Sequence, residues 1–106
     1  MGQMNIEERI KQLEFRVELL YKNRAIDRFF FECKVTSSQY SHLMDFMDYV
    51  SEKICKGEEV SKDFFEDEIL SIVPEKRKDY NFCKLLAEYW QNEYQSSKVC
   101  DYFYGI

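Results

Sequence analysis

The chain has 106 residues, 45% of them apolar, which is enough for one hydrophobic core without metal or disulfide staples and too few for two domains. Its net charge of −5 repels nucleic-acid phosphate, so direct DNA or RNA binding is disfavoured. No secretory leader and no apolar run of about 18 residues is legible, so a cytoplasmic protein with no membrane attachment is expected. With one Pro and three Gly, helices are favoured over sheets and turns.

Residues 1–4 read as a disordered start or a leftover of cloning ahead of Met4, and 5–106 as a single helical domain. Met1-Gly2 has the form of a myristoylation signal, but Ile6 stands where Ser or Thr is wanted. Asn5 followed three residues on by Glu8 matches a capping box and starts a first helix that runs to about Asn23. Within it Ile6, Ile10, Leu13, Val17 and Leu20 follow a 4-3-4-3 spacing, which is the contact pattern of a coiled coil. At about 100° per residue Phe15, Leu19 and Ile26 gather on nearly the opposite side. The helix therefore has two faces to bury. One can pack on the chain's own core, and the other has only another molecule or a late-docking segment to cover it, so self-association through the five seam residues is expected.

A second helical segment, Ala25 to Cys33, contains the run Phe29-Phe30-Phe31. Three consecutive rings on a helix point in three directions, so at least two should be buried in different places, with one closing over the seam. Thr36 and Gln39 form another capping box, opening a third helix that ends near Lys56 with Gly57 as a left-handed terminator. Its core stripe is Tyr40, Leu43, Met44, Met47, Val50 and Ile54, while His42, Asp45, Asp48 and Glu52 lie on the other face. Ser61 is the next N-cap, with Val60 and Phe65 placed as a hydrophobic staple, and a short helix runs to about Ile72. Pro74 stops it. Residues 75–78 are expected to be a charged surface turn, Asp79 caps the next helix, and Phe82, Leu85, Leu86 and Tyr89 give that helix its buried face with Trp90 at the edge. A last short helix through Val99, Tyr102 and Phe103 folds back over the bundle. The fold class is all-α, a compact bundle of five to six helices.

The four cysteines, at separations of 22, 28 and 17, include no CxxC pair, and the chain has one His; no zinc site is legible. The polar face of the third helix, with His42, Asp45, Asp48 and Glu52, is the best place for a metal or a hydrolytic centre, but it lies opposite the apolar stripe, where water competes for every group. Gly2, Gly57 and Gly105 stand too far apart for a phosphate-binding loop. No catalytic residue, cofactor or metal ligand is assigned.

Two surfaces are candidates for a protein partner. Residues 1–57 hold nine acids and nine bases, whereas 58–106 hold eleven acids and six bases. Glu58, Glu59, Asp63, Glu66, Asp67 and Glu68 make an acidic patch that would attract a basic partner. The aromatics near the end, chiefly Trp90, Tyr94, Tyr102 and Tyr104, are of the types that anchor protein interfaces.

The stretch Arg9-Ile10, Leu13-Glu14, Leu19-Leu20 and Ile26-Asp27-Arg28, followed by Phe29-Phe30, a helix start at Thr36 and a Val60-x-x-Phe64/Phe65 segment, resembles the YhaI-like family of small Bacillus proteins of unknown function. The resemblance implies a bacterial, all-helical protein, and no activity or site residue follows from it. The C-terminal part, richer in Tyr and carrying Trp90, departs from that pattern. Taken together the chain reads as a non-enzymatic interaction or regulatory module that self-associates and binds a protein partner. One alternative is an acidic, phage-borne inhibitor occupying the nucleic-acid site of a basic host protein. Another is a metal-binding or hydrolytic enzyme centred on His42.

Overall fold

The computed structural model describes residues 5–22, 24–76, 79–94 and 97–105. The expectation for residues 1–4 lies outside the described residues. The element order is α1 (Ile6–Lys22), α2 (Ala25–Glu32), α3 (Ser37–Cys55), α4 (Lys62–Ile72), a 3₁₀ turn (Pro74–Lys76), α5 (Tyr80–Glu93) and α6 (Val99–Tyr104). The protein is all-α, with six α-helices and no strand among the described residues.

Side-chain caps start α1, α3, α4 and α5, whereas α2 and α6 begin without one. Asn5 Oδ1 accepts from the Glu8 amide at 2.8 Å, and Ser61 and Asp79 cap α4 and α5 in the same way. At α3 the box is complete, with the Gln39 amide donating to Thr36 Oγ1 and the Thr36 amide donating to Gln39 Oε1. The other end of α3 closes in a Schellman turn. Gly57 has φ +79, its amide donates to the Ile54 carbonyl, and the Glu58 amide donates to that of Lys53. The end of α2 makes the same pair of bonds with Lys34 at φ 60, a conformation that disfavours a side chain and is stabilised here by the paired carbonyls.

One continuous core joins these helices. Helix α1 packs on α2, α2 on α5, α5 on α6, and α4 bridges α3 and α5. Phe15 and Leu19 carry the inner face of α1 into the core, as expected, and the Phe15 ring meets Tyr40 edge-on at 5.3 Å. Gln12 adds a polar tie, donating to the Val35 carbonyl at 3.2 Å and accepting from the Ser37 amide. Phe29 and Phe30 are buried, the first stacked between Phe82 and Tyr89 and the second edge-on to Tyr40. Phe31 lies under the Arg16 guanidinium, 4.3 Å from ring to cation, and does not cover the seam. The stripe of α3 is inside as expected, with Leu43, Met47 and Val50 fully buried.

A buried carboxylate and a half-buried arginine tie α2 to α5. Asp27 is fully buried and accepts from Arg24 Nε at 2.6 Å and Nη2 at 3.3 Å. The same guanidinium donates to Tyr94 Oη at 3.0 Å and approaches Glu93 at 3.8 Å, so one arginine clamps the start of α2 to the end of α5. The Asp27 contact, set against partial burial, raises the Arg24 pKa. Asp27→Ala would leave the guanidinium without its main counter-charge and is expected to cost about 3 kcal/mol, read as a lowered urea midpoint at unchanged slope.

Candidate interaction surfaces

The outer face of α1 is the most exposed apolar surface described. Ile6, Ile10, Leu13, Val17 and Leu20 are between 48% and 74% exposed, although aliphatic side chains in a row along one helix face would normally be covered. Ile10, Leu13 and Val17 line an open groove with Glu14 and Glu18. The seam is thus uncovered by the rest of the chain, and the buried pair Phe15 and Leu19 faces the other way.

The acidic region divides in two. Glu58, Glu59, Asp63 and Asp67 are on the surface, and Glu58 is bridged to Lys53 at 2.9 Å, which lowers its pKa through that hydrogen bond and charge. Glu66 is not part of this surface. It is 8% exposed, and Tyr104 Oη donates to its Oε2 at 2.6 Å. Because the carboxylate sits on the inner side of α4, one turn from Ile69 and Leu70, it requires a donor, and Tyr104 supplies one.

The aromatic region runs from the core to the surface. Trp90 is 2% exposed and donates from Nε1 to Ser51 Oγ at 2.9 Å; it is a core residue, not an edge one, because α5 is covered on that side by α3. Tyr94 packs against Trp90 with ring centroids 4.4 Å apart and planes tilted by 45°, and its hydroxyl accepts from Arg24. Tyr102 remains partly exposed while its hydroxyl accepts from the Val60 amide at 3.0 Å. These phenols close hydrogen bonds of the fold, a role that composition does not reveal. An open groove of about 350 Å³ lined by Asp48, Ser51, Glu52, Cys55, Trp90, Tyr94 and Ser97 lies between α3 and α5.

For chemistry, the arrangement offers little purchase. His42, Asp45, Asp48 and Glu52 are all exposed, and no group of three or more His, Cys, Asp or Glu among the described residues is placed to hold a metal ion. Among the described residues no helix is long and apolar enough to cross a membrane. Burial, reinforced by Glu66, pushes the Cys83 thiol up to about 12, and burial raises Cys33 and Cys100 as well. A thiol held protonated is a poor nucleophile.

Alkylation at neutral pH should therefore modify the exposed Cys55 first and Cys83 only on unfolding, an order that peptide mass spectrometry of a labelling time course would show. Burial and the bond to Glu66 also raise the Tyr104 hydroxyl from its ordinary value of 10.0. Both groups ionise more readily once unfolded, Cys83 from an ordinary value of 9.0, so their contribution is fully present below about pH 9 and is lost as pH rises beyond it. Stability measured by urea should fall across that alkaline range. Tyr104→Phe should cost about 1–3 kcal/mol at pH 7 by leaving the Glu66 carboxylate without a donor, and a variant as stable as wild type would refute that assignment. Comparison of the chain with protein-family models, with curated proteins and with solved structures finds no match.

Proposed function

We propose that this protein is a non-enzymatic interaction module that self-associates through the outer face of α1. The observation that carries the reading is the row of five exposed aliphatics, Ile6, Ile10, Leu13, Val17 and Leu20, on a helix whose opposite face is already used by the core. Covering such a row removes apolar area from water at about 25 cal/mol per Å², and a second copy presents an equally apolar row by symmetry. Regulatory binding of another protein is then the business of what stays exposed elsewhere, including Glu58, Glu59, Asp63, Asp67 and Tyr102.

The acidic-inhibitor reading has less behind it, since Glu66 is engaged inside the fold and Glu58 is bridged to Lys53. The reading centred on His42 has only a set of solvated side chains to build on.

Size-exclusion chromatography with light scattering tests the proposal. The wild-type chain should elute as an oligomer whose mass falls to that of the monomer in Leu13→Asp, with unchanged helicity by circular dichroism because Leu13 makes no part of the core. A variant with the wild-type mass would show that the seam is not the contact.

A further inference from the structure

Written as a coiled-coil strand, α1 carries Ile10 and Val17 at its a positions and Ile6, Leu13 and Leu20 at its d positions. Among parallel coiled coils, β-branched residues at a with leucine at d favour two strands. Both a residues here are β-branched and two of the three d residues are Leu.

The positions flanking the seam separate by sign. Along one edge, at e, stand Glu7, Glu14 and Tyr21; along the other, at g, stand Arg9 and Arg16. Glu7, Arg9 and Glu14 are exposed, and none of the three forms an ion pair among the described residues. Flanking charges of this kind set partner choice and orientation.

The orientations differ in what these edges meet. In a parallel, in-register pair each g residue faces the e residue five positions on in the other helix, so Arg9 meets Glu14 of the second copy and the two-fold axis repeats the contact. Arg16, at the next g position, is engaged by its own chain, with its guanidinium over the Phe31 ring; Tyr21, at the e position it would face, is 90% exposed. An antiparallel pair brings g against g and e against e. Centred between Leu13 and Val17, it sets Glu14 against Glu14 and Arg16 against Arg16, and like charges at such sites oppose association.

The side of α1 away from the seam is the one its own chain uses. Phe15 occupies the f position, directly opposite the seam, and Leu19 the adjacent c position, and both are buried in the chain's own core. The body of each copy therefore lies on the f and c side of the helix, reaching the g edge at Arg16 through Phe31. A contact of fewer than three heptads belongs at the low end of specific interfaces, below about 1,200 Å² in total, which makes it reversible and concentration-dependent.

We infer that α1 forms a parallel, in-register, two-stranded coiled coil with α1 of a second copy, its orientation set by reciprocal Arg9–Glu14 ion pairs. This rests on the self-association proposed above. Sedimentation equilibrium of the full chain, at low salt and under reducing conditions, tests it with wild type, Arg9→Glu and the double variant Arg9→Glu/Glu14→Arg. Wild type should be a reversible monomer–dimer system. Arg9→Glu turns two attractions into two repulsions and should weaken the dimer by about tenfold, and the double variant, with both signs exchanged, should return to near the wild-type affinity. In the antiparallel arrangement Arg9 faces no acidic residue, so an unweakened Arg9→Glu dimer overturns the parallel register while self-association stands. A double variant as weak as the single overturns the Arg9–Glu14 pairing, and a wild-type trimer overturns the two-stranded count. A wild-type chain that stays monomeric at every concentration overturns self-association itself.

Discussion

A helix with two apolar faces pointing in opposite directions can press only one of them against its own chain. In α1 the inner face, Phe15 and Leu19, is sealed against the core together with the Gln12 tie to the α2–α3 connection, and everything on the outer face is left to solvent. That division organises the molecule. It presents a row of aliphatics along one face of the first helix and buries Phe15 and Leu19 on the opposite face. Were Phe15 and Leu19 weakly packed, the helix could roll and bury the seam instead. The edge-on contact of Phe15 with Tyr40 and the capped, hydrogen-bonded loop beneath Gln12 oppose that.

Polar groups inside the fold fix the arrangement of the other helices. Arg24 and Asp27 join α2 to α5 through Tyr94, and Tyr104 joins α6 to α4 through Glu66. Each places a charge where an unmatched partner would be costly. They lock relative positions that apolar packing alone leaves permissive. They also engage the hydroxyls of Tyr94, Tyr102 and Tyr104 within the fold, while Tyr21, Tyr49 and Tyr80 stay on the surface.

Local signals were the most legible part of the structure. Asn5, Thr36, Ser61 and Asp79 marked helix starts, and Gly57 a helix end, because a cap depends on residues three or four apart along the chain. The apolar periodicity of α1 and α3 placed Phe15, Leu19, Leu43, Met47 and Val50 correctly, since spacing on a helix determines which side chains share a face. Signals that run between helices were hidden. Lys34 takes a left-handed terminator role that Gly or Asn usually fills. Trp90 passes from the edge into the core because α3 happens to cover that side of α5, with Ser51 waiting for its indole nitrogen. Glu66 sits in an acidic run whose other members are solvated, and nothing in the run distinguishes it.

The all-helical class, the cap positions and the two faces of α1 are all properties of neighbours in the chain, so residue order alone determined them. Which face of α1 turns inward, which carboxylate goes under the aromatic layer, and which tyrosines stay free depend on distances between residues tens of positions apart, such as the 70 residues between Arg24 and Tyr94 or the 38 between Glu66 and Tyr104. Those were decided only when the helices packed. A side chain's burial is set by what arrives opposite it, and periodicity within one helix carries no record of the element that will arrive.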